Sequence, residues 1–254
     1  MSSIVIFGIV FVFLFGGALL GLLLRGVLPE SHLSAESKDI VKLALGVIGT
    51  TAAIVLGLLI SSSQSSFREQ RKDIMQLSAN IIILDHVLAD YGPETKETRD
   101  LLRSVTVSTL NQMWPENNSQ PAQLDPTASK VEVLSQKIQA LSPQNETQRS
   151  LQAQALTLAS NLIQTRWLMY AQQVRSIPVP FLIVVGVLIF WFAIIFVSIG
   201  LQASYNATII TILLVCALSV AGAIFLIVEL NQPFEGLLRI PNAPLRDALS
   251  HLGQ

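Results

Sequence analysis

A row of residues in the second apolar segment of the chain has the composition of a wall along a water-filled path. Its members follow one another at three or four residues, the spacing of one helix face: Thr50, Ile54, Gly57, Ser61, Gln64 and Arg68. Apolar side chains at Ile54, Leu58 or Ile60 could narrow such a path and expel its water. The other interpretation is packing, because small residues let transmembrane helices approach each other closely. The residues themselves leave both interpretations open.

Three basic residues, Arg68, Arg71 and Lys72, follow the apolar segment on the same predicted helix. Repeated around an oligomer, they would raise the local anion concentration, so Arg68 and Lys72 are predicted to form the cytosolic mouth of a path. The alternative is anchoring to anionic lipid, with Glu69 and Asp73 offsetting part of the charge.

No residues with catalytic spacing are evident in the sequence. His32, His86 and His251 are scattered, with no pair at metal-ligand spacing and no glycine-rich phosphate loop nearby. Asp85 and His86 point to different faces of one helix, which predicts a solvated surface. Cys216 has no partner for an internal disulfide. We therefore expect no enzyme activity, no metal site and no bound cofactor.

An acidic residue, Glu229, ends the last apolar segment. Acids at membrane depth are usually paired or functional, and we expect Arg239 or Arg246 of the following tail to pair with it and dock the tail. Prolines deny this tail a long helix, which predicts an extended course along a neighbouring subunit: Pro233, Pro241 and Pro244.

The elements that position these residues are transmembrane helices. The chain is 51% hydrophobic and 13% charged, so the bilayer is its expected solvent. Four apolar runs are long enough to cross a bilayer as helices, at about 4–24, 40–60, 181–201 and 207–228. The net charge is −1 and the basic residues are dispersed, which excludes a nucleic-acid partner.

The positive charges predict the orientation of these spans. Most of the 16 Lys and Arg residues lie between the second and third spans or in the tail. Only Arg25, Lys38 and Lys42 lie on the opposite side. Because positively charged loops stay in the cytoplasm, both termini and residues 63–176 are placed there. The predicted divisions are spans 1 and 2 (1–62), a cytosolic helical domain (63–176), spans 3 and 4 (177–230) and a cytosolic tail (231–254).

The cytosolic domain is predicted to be helical throughout. No glycine or proline interrupts the chain between Gly57 and Gly92, so the second helix should continue into the cytosol to Tyr91. Apolar residues at alternating spacings of three and four give it one packing seam: Ile74, Leu77, Ile81, Leu84, Leu88 and Tyr91. Further helices are expected from Pro93, from Pro126 and from Ser142, with a loop over 115–126. No alternating strand pattern is present, so the predicted fold is all-α.

Sequence signatures give the chain a resemblance to a known family. The residues after the fourth span read ELNQPFEGLLR (229–239) and then PLRDAL (244–249). The second span runs into SSF (65–67), and its helix ends in LADYGP (88–93). These segments resemble the bacterial bestrophin-like family, a domain of unknown function, and the resemblance covers most of the chain. Similarity to the bestrophin ion channels is more distant.

The resemblance implies a homo-oligomer, with a pentamer expected, in which the second helix lines an ion-conducting pore of the bacterial inner membrane. Its partners would be inorganic ions, membrane lipid and other copies of the chain. The sequence departs from animal bestrophins because it lacks their acidic calcium clasp and the aromatic neck of the second span, so calcium gating is not expected. The alternative function is a membrane-anchored scaffold or sensor whose cytosolic helices bind a partner.

Overall fold

The computed structural model describes residues 3–25, 35–115, 131–174, 179–203, 205–234 and 236–253. Every regular element within these ranges is helical, as predicted. They comprise a 3-10 turn (Pro93–Thr95) and eight α-helices: α1 (Ser3–Leu24), α2 (Ala35–Tyr91), α3 (Lys96–Met113), α4 (Val131–Gln139), α5 (Glu146–Val174), α6 (Val179–Gln202), α7 (Ala207–Leu230) and α8 (Ala243–His251). The predicted loop over 115–126 and the helix start at Pro126 lie almost wholly outside the described residues.

The chain divides into two compact units, which are described separately. The span unit comprises Met1–Phe67, Ile177–Gln232 and Gly236–Leu238. The polar unit comprises Arg68–Ser176, Pro233–Glu235 and Arg239–Gln254.

Four helices are long and apolar enough to cross a membrane, which confirms the four predicted spans: α1, the first part of α2, α6 and α7. In the span unit, α1 packs against both α6 and α7. The centre of this packing is formed by Leu14 and Ala18 of α1, Leu188 of α6, and Ala217 and Ala221 of α7.

Two glycines allow α1 and α6 to approach until their backbones touch. A Cβ atom added at Gly200 of α6 would overlap the carbonyl oxygen of Ala18, and one added at Gly21 of α1 would overlap that of Val197. Small residues at such crossings give transmembrane helices more van der Waals contact, which substitutes for the hydrophobic effect that lipid cannot provide.

The connection between α6 and α7 is short and contains no charged residue, reading Ala-Ser-Tyr-Asn at 203–206. Asn206 is the N-cap of α7, and its side chain accepts a hydrogen bond from the Thr208 N–H at 3.3 Å. At the other side of this connection, the Arg25 guanidinium donates to the carbonyl oxygen of Ala203. The end of α1 is therefore tied to the turn between α6 and α7.

The predicted seam of α2 is confirmed in the polar unit. All six of its residues are at most 5% exposed. The helix ends at Gly92, whose φ of +140° is a conformation that residues with a Cβ atom rarely adopt. Just after it, the Thr95 hydroxyl donates to the carbonyl oxygens of Leu88 and Gly92 at 2.5 and 2.8 Å. The start of α5 meets this turn, because the Gln148 amide donates to the Tyr91 carbonyl at 3.0 Å.

The tail differs from the prediction of an extended course. Its residues 243–251 form α8, which packs on α3 of the same chain and has two buried side chains, Leu245 and Ala248. Pro244 lies in the first turn, where the missing N–H of proline costs nothing because that group has no helical partner. The prolines therefore exclude a long helix but permit this short one.

Candidate pore-lining face

The predicted row of residues lies on one exposed face of α2. Thr50, Ile54, Gly57, Ser61 and Gln64 are all exposed, and Ile54 is 60% exposed. A Cβ atom added at Gly57 would meet no other atom within 4 Å, so no described part of the chain covers this glycine. We call these five residues the α2 face.

The opposite side of α2 packs within the span unit. Ala52 and Ser63 are 0% and 2% exposed, and Leu56 and Leu59 pack against the core that includes Ala52. Packing on this side turns the α2 face away from the rest of the span unit.

The apolar part of α2 is the span that its own chain covers least. Only 6% of its apolar stretch is buried, against 17 to 22% for the other three spans.

The threonine hydroxyls of this stretch form hydrogen bonds within α2, since Thr50 donates to the Gly46 carbonyl at 2.8 Å and Thr51 to the Val47 carbonyl at 3.0 Å. These hydroxyls can therefore lie in either a wet or an apolar environment without an unpaired donor.

Among the apolar side chains considered for a constriction, Ile54 belongs to the α2 face. Leu58 lies beside it and is 65% exposed, whereas Ile60 is half-buried. Ile54 and Leu58 are therefore better placed than Ile60 to narrow a path along this face.

The three basic residues that follow the face are exposed. Arg68, Arg71 and Lys72 lie on α2, and no ion pair joins any of them to another residue that the structure describes.

Glu229, at the end of α7, is buried at 1% exposure and does hold the returning tail. Its carboxylate accepts hydrogen bonds from the backbone N–H groups of Leu237 and of Leu238, the latter at 3.0 Å. The sequence predicted Arg239 or Arg246 as its partner. The structure instead provides backbone donors because the chain turns back at a glycine, and both arginine side chains are exposed.

A second polar contact follows directly. The side-chain amide of Asn231 donates to the Ser63 hydroxyl of α2 at 2.9 Å and to the Ile227 carbonyl at 2.7 Å. Sequence reasoning missed this pair, since its members are 168 residues apart and neither residue type predicts the other.

Asp85 is also placed differently from the prediction of a solvated surface. Its side chain is 3% exposed and forms two hydrogen bonds with the Arg99 guanidinium, at 2.8 and 2.7 Å. The Gly253 N–H donates to the same carboxylate at 3.2 Å. A signal was present in the sequence: Asp85 and Arg99 are equally far from Gly92, where the chain reverses between α2 and α3.

The surroundings of Asp85 shift its ionisation. Burial raises its pKa, but the hydrogen bond from Arg99, the Gly253 N–H and the nearby positive charges outweigh burial and lower the pKa below its ordinary value. The hydrogen bond to Asp85 raises the pKa of Arg99 in turn. The pair is therefore ionised at neutral pH and ties α2, α3 and the end of the tail together.

These features define a class of protein: an all-helical membrane protein with four spans, in which the second span continues as one long helix into a polar helical unit. A family model for the bestrophin-like domain matches residues 12–245. The chain therefore belongs to the bestrophin-like family.

Solved structures of bacterial bestrophin homologues share the fold. One variant of the Klebsiella pneumoniae homologue is 15% identical, with a TM-score of 0.72 over 100% of this chain and 99% of that chain. Another variant from the same organism is 16% identical, with a TM-score of 0.67 over 95% and 99% of the two chains. A structure described as a membrane protein is 16% identical, with a TM-score of 0.70 over 98% and 99%. A comparison with curated protein sequences found no match.

Proposed function

We propose that this protein is a homo-oligomeric ion channel, with a pentamer as the expected assembly, in which the α2 face lines the pore. The observation that carries the proposal is the sparse cover of α2: only 6% of its apolar stretch is buried within the chain. A ring of α2 helices would cover the flanks of each helix and leave the α2 face towards the axis. Membership in the bestrophin-like family supports this arrangement.

The α2 face supplies both parts that a gated pore needs. Thr50, Ser61 and Gln64 carry polar groups that can contact water, and Gly57 leaves space between them. Ile54 and Leu58 would form an apolar ring in which water is unstable, so that a small change in radius stops conduction. The proposed gate is therefore the level of Ile54 and Leu58.

Anion preference is the expected selectivity. Arg68 and Lys72 follow the α2 face on the same helix, and both are exposed. Rings of such charges raise the local anion concentration and lower that of cations.

The proposed location is the bacterial inner membrane. The distribution of basic residues supports placing this end of the pore, residues 63–176 and both termini in the cytoplasm. The basic residues near the span ends would then lie close to anionic lipid.

A second candidate function is a membrane-anchored scaffold or sensor. The observation that favours it is the surface of α5, where Arg166 is the only charged residue between Arg149 and Arg175 and is itself buried. Trp167 and Leu168 are 43% and 51% exposed on this helix. Surfaces poor in charge and containing aromatic residues are typical of protein interfaces. An assembled channel could bury this surface between subunits, whereas a scaffold would present it to another protein.

The test is current across planar bilayers that contain the purified oligomer under a salt gradient. Wild-type protein should conduct, with a reversal potential closer to the equilibrium potential of the anion than to that of the cation. Arg68→Glu should shift the reversal potential towards cations, whereas Lys96→Glu, a matched change on α3, should not. Ile54→Thr should increase the unitary conductance. Silence from protein of intact oligomeric mass would contradict the channel and favour the scaffold.

A further inference from the structure

The contact between Asn231 and Ser63 ties the end of α7 to the back of α2. Asn231 donates to the Ser63 hydroxyl at 2.9 Å, and Ser63 is only 2% exposed. The same amide group donates to the Ile227 carbonyl at 2.7 Å, which fixes the side chain on the last turn of α7. Both donor hydrogens of the amide are therefore used, and the amide orientation is determined by its partners.

Glu229, two residues before Asn231 at the end of α7, stabilises the chain next to this contact. Its carboxylate accepts hydrogen bonds from the backbone N–H groups of Leu237 and Leu238, so these two residues return to the end of α7. The reversal passes through Gly236, whose φ is +84° and whose position leaves no room for a Cβ atom beside the Glu229 carboxylate. Glu229 thus holds the chain on the C-terminal side of Asn231, and the two hydrogen bonds of the Asn231 amide direct its side chain towards α2. We call Ser63, Glu229 and Asn231 the α7 clamp.

The α7 clamp acts on α2 from the side opposite the α2 face. At 100° per residue, Ser63 lies about 140° around the helix from the middle of that face. A hydrogen bond at this point opposes rotation of α2 about its own axis. Within the span unit only 6% of the apolar part of α2 is buried, so few contacts besides those of Ala52, Leu56 and Leu59 oppose rotation of this part of the helix.

We propose that the α7 clamp is the positioning element of the pore helix: it fixes the rotation of α2 so that the α2 face points at the pore. The clamp residues position this face through Ser63 and do not themselves line the pore. The inference rests on the proposed channel, since it assigns a direction to the face that would line it.

The first test measures the direction of α2 without measuring current. In a background with Cys216→Ser, single cysteines are introduced at Gln64, on the α2 face, and at Ser62, which lies about 160° away around the helix. A charged, membrane-impermeant thiol reagent should label Gln64→Cys faster than Ser62→Cys in the assembled, detergent-solubilised oligomer. Adding Ser63→Ala or Asn231→Ala should bring the ratio of the two rates towards one, whereas adding Ser66→Ala, an exposed neighbour, should leave it unchanged.

The second test measures channel activity in the same bilayers. Ser63→Ala and Asn231→Ala should each lower the open probability about fivefold to tenfold, the size expected from losing one hydrogen bond of ordinary strength. The double variant should lower it no further than Asn231→Ala does, because the bond that Ser63→Ala removes is already absent in Asn231→Ala. Oligomeric mass and unitary conductance should stay at the wild-type values, which a loss of general packing would not allow.

The two tests separate the two proposals. An unchanged labelling ratio in both clamp variants would overturn the inference whether or not the protein conducts. Additive losses of open probability in the double variant would overturn it as well. A changed labelling ratio in a protein that carries no current would support the α7 clamp and overturn the channel.

Discussion

Replacing Asp85 tests how the polar unit holds the end of the tail. In Asp85→Ala, Arg99 loses the partner of two hydrogen bonds and the Gly253 N–H loses its acceptor. In Asp85→Asn, a side-chain oxygen remains to accept one of these bonds, but the negative charge is gone. The difference between the two variants separates the charge from the hydrogen bonds.

The loss of stability expected in Asp85→Ala depends on how exposed Asp85 and Arg99 are. Removing one member of a fully buried ion pair costs about 3–5 kcal/mol. Asp85 is 3% exposed but Arg99 is 22% exposed, so water can recover part of the loss for the guanidinium. We expect Asp85→Ala to lower the free energy of local unfolding by about 2–3 kcal/mol. This corresponds to a roughly 30- to 150-fold larger equilibrium constant for opening of α8 and the α2–α3 turn.

Hydrogen exchange of the detergent-solubilised protein, read by mass spectrometry, measures this opening directly. Peptides covering α8 and the α2–α3 turn should exchange faster in Asp85→Ala, with a smaller increase in Asp85→Asn. Asp100→Ala, an exposed carboxylate on the same α3 helix, is the control. Exchange within about threefold of wild type in Asp85→Ala would refute the role given to this pair.

The lowered pKa of Asp85 adds a pH dependence with a defined sign. Because the folded protein favours the ionised carboxylate, the stabilisation is complete above the ordinary value of 3.8 and is lost as pH falls through the lower folded pKa. The difference in thermal midpoint between wild type and Asp85→Asn should therefore be constant from neutral pH to about pH 5. It should shrink only below the ordinary value, and shrinkage near pH 6 would contradict the assignment.

Two further substitutions test packing, each with a control on the same kind of residue. Gly200→Ala should lower the thermal stability of the oligomer by about 2 kcal/mol or more, because the added methyl overlaps the backbone of α1. Gly186→Ala, on the same helix with nothing within 4 Å, should leave it unchanged. Trp114→Phe removes the hydrogen bond of 3.0 Å from the indole N–H to the Ile240 carbonyl and should cost about 1–2 kcal/mol. Exposed Trp167→Phe should cost less than about 0.5 kcal/mol, and equal losses at the two tryptophans would contradict the assignment.

The helices could be predicted because apolar periodicity reports them directly. A span needs a long uninterrupted apolar run, and the seam of α2 repeats every three or four residues, so length and spacing were sufficient. The exposed face from Thr50 to Gln64 followed from the same spacing. Which side of α2 faces its own chain could not be read from these residues, because small side chains serve packing and a pore wall equally well.

The polar contacts were harder to predict because they join distant parts of the chain through ordinary residue types. Asn231 and Ser63 show no charge complementarity or spacing that connects them. Glu229 was expected to pair with an arginine, yet a turn at Gly236 supplies backbone N–H donors instead. Every residue type except proline has such a donor, so the sequence does not show which ones will face a carboxylate. The tail helix was missed because prolines dominated the prediction, although a proline in a first turn is compatible with a helix.

The close crossing of α1 and α6 has a consequence for the biogenesis of the protein. The ribosome makes α1 first and must synthesise residues 25–178 before α6 begins. At about 5–20 residues per second, α1 spends roughly 10–30 s in the membrane without this partner. During that time lipid must fill the groove at Gly21 that α6 later occupies. The turn between α6 and α7 contains no charged residue, so the two helices can insert together as a hairpin without moving a charge across the membrane. They would then displace the lipid from α1, which is already in place.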